Sequence, residues 1–346
     1  MGIFEGQTIL ITGGTGFLGR NLTRKILQEN PKSIRLFSRD EVKHHYVQQE
    51  FNNDPHLRNF IGDVRDLERL KKATRGCDIV IHAAALKRVD MMEYNTSEAI
   101  KTNILGTLNV VEACIENKVK KVIMVSTDKA CEPINIYGAC KFVSERIFIE
   151  SNYSRGGEYP QFICVRYGNV LSSTGSVIPT FIDKIKKGHK ILLTHPEMTR
   201  FIINADQAVD LVCNAIQHGV GGEIFVPILP SFKITQLISA LDDFHGKKSE
   251  VEVTGIRPGE KLHELMINEH EVENTYLFEK YLVVTSHIQK HNLITNPIYV
   301  REGKKISLND MKEFSSRDTL ISDESVKNIV LKEMSSNNYP KNEVLQ

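Results

Sequence analysis

Apolar residues fall in short runs separated by longer amphipathic stretches. Residues 8–12, Thr-Ile-Leu-Ile-Thr, read as one buried strand. A glycine-rich turn follows, then an amphipathic stretch that predicts a helix over 16–28. Further strand-sized runs lie at 33–37, 59–62, 78–82, 121–125 and 162–166, with helical stretches at 97–117 and 136–150. Strands separated by crossover helices imply an α/β fold, a doubly wound parallel sheet with helices on both faces. The pattern loosens after Tyr167. Residues 172–175 form a Ser/Gly-rich loop, 224–226 a short strand, 233–244 a helix and 251–254 a strand. This divides the chain into a sheet domain over 1–170, rejoined by 201–228, and a smaller region over 171–200 and 229–300 that covers a ligand. Beyond Ser286 the chain is polar and poor in aromatics, so 301–346 reads as a tail. Ser322 to Ser325 open a helix over 326–334, and the last dozen residues, from Ser335, are expected to fray.

The 346 residues suggest two domains at roughly 150 residues each. Lys and Arg number 44 against 43 Asp and Glu, a net charge of +1. That balance argues against a dedicated nucleic-acid binder while leaving room for a local basic pocket. No apolar run approaches the roughly 18 residues that span a bilayer. The start lacks the basic and apolar segments of a signal peptide, and Gly6 stands where myristoylation wants Ser or Thr. The six cysteines are scattered with no C-x-x-C pair, which suits free thiols in a reducing compartment. The expectation is a cytoplasmic protein without membrane contact, whose Asn21, Asn95 and Asn152 triplets carry no glycan.

The turn after the first strand reads Gly13-Gly14-Thr15-Gly16-Phe17-Leu18-Gly19. Glycines three apart allow a tight turn, close approach of backbone to a pyrophosphate, and packing of helix on strand. The helix N-terminus then offers unpaired N–H groups to phosphate. A phosphate loop of the Gly-Lys-Ser/Thr kind is excluded, because Arg20-Asn21 follows Gly19. The sheet is therefore Rossmann-type. The second strand ends Ser38-Arg39-Asp40, where an NAD enzyme usually has an acid for the ribose diol. A hydroxyl and a guanidinium suit a 2′-phosphate, with Lys43 as a second cation, so the cofactor expected is NADP. Asp63 and Val64 end the third strand and flank the adenine, and Ala83 ends the fourth.

Tyr137 and Lys141 are four apart on one helix face. An ammonium there would lower the phenol pKa and make Tyr137 a base toward a sugar hydroxyl. Ser126-Thr127-Asp128-Lys129-Ala130 lies at the end of the strand over 121–125, where open α/β sheets bind ligands. Read without that context, Asp128 and Lys129 are a solvated ion pair.

On these motifs the chain resembles the extended short-chain dehydrogenases/reductases. Within them it is similar to the inverting UDP-N-acetylglucosamine 4,6-dehydratases of bacterial nonulosonic acid and capsule pathways. The resemblance covers residues 8–282, strongest over 11–19, 38–43, 83–88, 93–95, 126–130, 133–141, 166–170, 198–201 and 255–264. Retaining 4,6-dehydratases carry Asp-Glu after the Ser-Thr pair; Asp128-Lys129 matches the inverting group. The resemblance implies that Tyr137 takes the 4-hydroxyl proton, Lys129 the carbon 5 proton, and Asp128 protonates the departing 6-hydroxyl. Thr127 would bond the 4-oxygen and Lys141 the nicotinamide ribose. Lys129 must then be neutral, with a depressed pKa, and Asp128 protonated, with a raised one.

The same resemblance places Thr15, Phe17, Leu18, Lys87 and Val170 against the cofactor. It places Lys87, Asn169, Ile178, Arg200 and Arg257 against a UDP-sugar. It implies a homo-oligomer, a hexamer among the candidates, and an NADP-dependent lyase. Outside it, Arg200 and Arg257 read equally well as structural charges. No metal site is expected, since Ile267 follows His263-Glu264 where a zinc helix needs His. A nucleotide-sugar 4- or 5-epimerase and a non-catalytic NADP-binding regulator are the alternatives. A 4-epimerase would leave Asp128 and Lys129 idle, and the regulator would need no proton-transfer groups.

Overall fold

The first apolar run is buried along its whole length because it becomes an interior strand of a large sheet. The fold is a computed structural model that describes residues 2–171, 177–286, 288 and 296–335. The expected loop at 172–175 lies outside the described residues, and so does most of the expected frayed end.

β1 (Thr8–Thr12), α1 (Phe17–Leu27), β2 (Ser33–Ser38), α2 (Glu41–Glu50), β3 (Leu57–Ile61), α3 (Leu67–Thr74) and β4 (Ile79–His82) alternate along the chain. Then come α4 (Val89–Tyr94), α5 (Thr96–Ala99), a π-helical turn over Ile100–Leu105, and α6 (Gly106–Glu116). β5 (Lys121–Thr127), a 3-10 turn over Asp128–Ala130, α7 (Ile136–Ser154), β6 (Gln161–Tyr167) and β7 (Asn169–Val170) follow. The second half holds α8 (Val177–Lys187), β8 (Ile191–Leu193), β9 (Thr199–Ile203), α9 (Ala205–His218), β10 (Ile224–Pro227), β11 (Ser231–Lys233), α10 (Ile234–His245) and β12 (Val251–Val253). It ends with β13 (Leu265–Ile267), α11 (Glu269–Val272), β14 (Thr275–Phe278), β15 (Tyr281–Val284), α12 (Ile298–Arg301), β16 (Lys304–Lys305), β17 (Phe314–Ser315) and α13 (Asp323–Ser335).

The main sheet runs β16-β14-β15-β10-β6-β5-β4-β1-β2-β3. From β10 to β3 every neighbouring pair is parallel, and β15, β14 and β16 extend the sheet antiparallel. The strand order reverses between β1 and β4, and the crevice above such a reversal is where open α/β sheets hold ligands.

Three expectations change. The helix over 97–117 is interrupted by the π-helical turn. There the Asn103 amide both donates to the Leu86 carbonyl and accepts from the Leu86 N–H, at 2.9 and 2.8 Å, tying the loop after β4 to this helix. Residues 275–284, placed in the substrate-covering region, instead form a hairpin that continues the main sheet. The tail is not separate from 300 onward. Val326 and Val330 of α13 are buried in a second apolar cluster with Leu237 and Leu241 of α10 and with Phe181 and Ile182 of α8. Burial of these aliphatic faces is what returns the chain end to this layer. Among the described residues no helix is long and apolar enough to cross a membrane.

Candidate active site

The turn after β1 fits a dinucleotide by its shape. Gly13 has φ +70°, and a Cβ there would sit 3.0 Å from the Ala84 backbone nitrogen, so glycine alone lets the turn lie against the end of β4. A Cβ on Gly19 would approach the Gly14 carbonyl carbon to 2.6 Å, so this glycine seats α1 on the turn. Gly16 caps α1 without a side-chain bond, and the first helical turn holds no acid to compete with a phosphate. Thr15 Oγ1 and Ser38 Oγ are 2.8 Å apart, and Ser38 also bonds the His44 ring at 3.0 Å, which fixes the hydroxyl at the end of β2. Arg39 is half-exposed and lies 3.6 Å from Asp63, while Lys43 is exposed near Asp40. The side chain of Val64 is buried in the core, so this residue faces a ligand through its backbone only. Phe17, Leu18 and Ala83 are partly buried beside the turn and the β4 end.

The chemistry-bearing groups meet at the C-terminal end of β5. The 3-10 turn over Asp128–Ala130 stops the strand, and the N-terminus of α7 packs on that turn. Gly138 allows this, since a Cβ there would collide with the Lys129 carbonyl oxygen. Lys129 Nζ donates to Asp128 Oδ1 at 3.1 Å and to Glu264 Oε1 at 3.0 Å. Thr127 Oγ1 donates to the same Asp128 oxygen at 3.0 Å, and Thr127 also shares a hydrogen bond with the Tyr137 phenol. Arg200 Nε stands 3.7 Å from Glu264, its Nη1 donating to the Thr199 carbonyl at 2.7 Å. Side-chain exposure is 22% for Lys129, 0% for Asp128 and 2% for Glu264, so Lys129 is the member of these three whose side chain is partly open.

The electrostatics correct two expectations. Burial alone would lower the Lys129 pKa, but Asp128 and Glu264 together outweigh it and raise it above the ordinary lysine value. At rest Lys129 is therefore an ammonium, not the neutral amine expected. Burial pushes the Tyr137 phenol up rather than down, and the ammonium that opposes this is Lys129, not Lys141. Lys141 is itself pushed down to about 8 by burial. The Asp128 carboxyl is raised, by burial first and by Glu264 next, in the direction expected. Burial also raises Glu264, but Lys129 and Arg200 outweigh it and hold this carboxyl below its usual range.

The remaining candidates divide. Lys87 and Asn169 are exposed and Val170 partly buried at the C-terminal edge of the sheet. Arg257 is exposed, 4.0 Å from Glu260, on a loop that the Asn135 amide fastens by donating to the Gly259 carbonyl at 2.8 Å. Ile178 is a correction. It is 2% exposed within the second apolar cluster, so its side chain supports α8 and does not face a substrate. Glu264 is the residue that sequence reasoning missed. Its pairing with Lys129 comes from tertiary closure, and the local pattern offered only the comparison with a zinc helix.

The family model described as polysaccharide biosynthesis protein matches residues 9–286. The chain is 48% identical over 290 residues to an inverting UDP-N-acetylglucosamine 4,6-dehydratase of Campylobacter jejuni, covering 83% of this chain and 85% of that protein. It is 39% identical over 334 residues to a UDP-glucose 4-epimerase of Rickettsia massiliae, covering 95% of this chain and 96% of that protein. Among solved structures, Pen from Bacillus thuringiensis superposes with a TM-score of 0.87 at 35% identity, over 96% of this chain and 98% of that one.

Proposed function

The chain belongs to the polysaccharide biosynthesis protein family, and on that premise we propose that it catalyses 4,6-dehydration of UDP-N-acetylglucosamine with inversion at carbon 5. The product is a UDP-4-keto-6-deoxy-N-acetylhexosamine of L-arabino configuration. The observation that carries the reading is Lys129, bonded to Asp128 at the end of β5 and joined through Thr127 to Tyr137. A 4-epimerase needs a phenol and an adjacent hydroxyl, and has no use for the ion pair beside them.

A dinucleotide bound there would supply reversible hydride chemistry at the sugar ring, so the net reaction would need no added reductant. Gly13, Thr15, Gly16, Ser38 and Arg39 would hold it, and the Ser38–Arg39 pair favours NADP. Tyr137 takes the 4-hydroxyl proton, steadied by Thr127. The carbonyl so formed acidifies the carbon 5 proton, which the Lys129 amine removes. Lys129 reaches that neutral form by passing one proton to Asp128. The exchange leaves the charge of the pair unchanged and makes Asp128 an acid, and such coupled groups titrate as a unit. Asp128 is the proton source for the departing 6-hydroxyl. Its carboxyl is buried behind the ammonium, so the proton travels along the bond to Lys129. Inversion requires that carbon 5 be reprotonated from the face opposite Lys129. Arg200 and Arg257 supply cations for the diphosphate.

Incubating the purified chain with UDP-N-acetylglucosamine and NADP in deuterated water tests this. The expected result by NMR is a 6-deoxy-4-keto product carrying deuterium at carbon 5. The epimerase alternative instead gives the 4-epimer with its 6-hydroxyl intact.

Two substitutions follow. Arg39→Asp is expected to shift the ratio of NADP to NAD affinity by at least roughly tenfold toward NAD in titrations, because it exchanges a charge-assisted bond to the 2′-phosphate for repulsion. Gly138→Ala pushes the Lys129 carbonyl away from α7, so turnover is expected to fall by roughly 10²-fold with cofactor affinity little changed, measured by product formation at saturating NADP.

A further inference from the structure

Two buried carboxylate clusters lie near each other and differ in one respect. Around Arg166, Glu145 and Glu271 each accept through both oxygens. Around Lys129, Asp128 and Glu264 each bind through one oxygen. Asp128 Oδ2 and Glu264 Oε2 are buried with no hydrogen-bond partner among the described residues. Buried polar atoms in native proteins are nearly always paired, and an ion pair kept only for stability would use both.

Glu264 is also held with unusual care. It stands immediately before β13, which pairs with β17 from the chain end. Its N–H donates to Ser316 Oγ at 2.9 Å, and its carbonyl accepts from the Ser316 N–H at 2.9 Å. Ser316 is fully buried, and its hydroxyl lies 2.7 Å from Thr199 Oγ1, which in turn is 2.8 Å from the His263 ring. Arg200, next to Thr199, backs the carboxylate. Ser316 lies beyond residue 286, where the family match ends, so the C-terminal arm supplies this clamp.

We propose that Glu264 is a positioning residue for dehydration: it fixes the Lys129 ammonium against Asp128 and governs its proton affinity, while Ser316 of the C-terminal arm fixes Glu264. The proposal rests on the reading of Lys129 as the carbon 5 base. The charged and titratable groups around Lys129 are Asp128 on its own turn, Glu264 before β13, Arg200 on β9, and Tyr137 on α7. Lys261, whose ammonium donates to the Cys131 carbonyl, acts on Glu264. Of these, Glu264 is the anion that does not exchange a proton with Lys129 in the reaction. Removing its charge therefore changes the affinity of Lys129 for its proton without removing a reacting group.

The test is the pH dependence of kcat for dehydration of UDP-N-acetylglucosamine by the NADP-loaded enzyme, with thermal unfolding as the control for folding. Glu264→Gln keeps an acceptor and removes the charge. It is expected to move the limb set by Lys129 to lower pH by about one unit and to lower the plateau by about tenfold. Glu264→Asp keeps the charge on a shorter stem, so the plateau falls while the limb stays. Ser316→Ala removes the acceptor of the Glu264 N–H while keeping the backbone bond to its carbonyl, and is expected to lower the plateau severalfold with the limb unmoved. An unmoved limb in Glu264→Gln, with Lys129→Ala inactive, overturns the proposal alone. Dehydration surviving in Lys129→Ala overturns the underlying reading. Should Glu264→Gln fail to fold, wild-type kcat in Glu264→Asp overturns the proposal by itself.

Discussion

Replacing Lys129 with alanine is expected to lower dehydration of UDP-N-acetylglucosamine by roughly 10²–10⁴-fold, the span that a positioned proton-transfer group contributes. NADP affinity is expected to hold, because Lys129 stands at the end of β5 while the glycine turn follows β1. Oxidation at carbon 4 is expected to survive as well, since Tyr137 and Thr127 remain. The variant should then accumulate reduced nicotinamide, visible by its near-ultraviolet absorbance, without releasing 6-deoxy product. Alanine also leaves Asp128 and Glu264 buried without their shared cation, so some loss of stability accompanies it. Lys129→Arg separates the two effects. A guanidinium keeps the positive charge but does not deprotonate in proteins, so this variant is expected to fold like the wild type and still fail to dehydrate. Near-normal product formation by Lys129→Arg would show that no neutral base is needed at this position.

The outcome for Lys129 also marks how far the sequence could be read. Short-range chemistry was legible. The run at 8–12 gave β1 to the residue, because a buried parallel strand needs an unbroken apolar run and glycines must follow it where the backbone turns. Tyr137 and Lys141, four apart, did fall on one helix, and Asp128 and Lys129 did fall at a strand end. The charge state of Lys129 was not legible. It depends on Glu264, far along the chain, which the fold brings to 3.0 Å from the ammonium. A base at carbon 5 made a depressed lysine look necessary; with two carboxylates in contact, the ammonium wins. The hairpin over 275–284 was misplaced for a related reason. Two short apolar strands around Glu279 and Lys280 specify their own pairing, but nothing in them says which sheet edge they extend. Ile178 was given to the substrate by resemblance, whereas its position among apolar residues of α8 belongs to a packing face.

Arg166→Met is expected to have the largest effect on stability. Arg166 is fully buried on β6, with Glu145 of α7 on one side and Glu271 of α11 on the other, and its Nη1 also donates to the Met266 carbonyl at 2.6 Å. Methionine fills much of the volume but leaves two carboxylates facing each other without the guanidinium. Breaking a buried pair in this way costs about 3–5 kcal/mol, which lowers Tm by roughly 4–7 °C for a chain of this size. The loss should depend on pH with a definite sign. Burial raises the Glu271 carboxyl, but Arg166 outweighs it and holds it below the ordinary range in the native protein. Its contribution is therefore present above the ordinary glutamate pKa of about 4.3 and is lost as pH falls through the lower native value. Without Arg166 the burial effect is opposed by the Asn268 N–H, which donates to the carboxylate at 3.4 Å, and by Arg146, 3.8 Å away and partly exposed. The native carboxyl then favours its proton, so acid relieves the variant over a range in which the wild type still keeps this contribution. The gap in Tm between the two should narrow steadily as pH is lowered from 7 toward about 4.5. A gap that stays constant over that range would mean that methionine destabilises through misfit in the core, and that the ion network is not what ties β6 to α7 and α11.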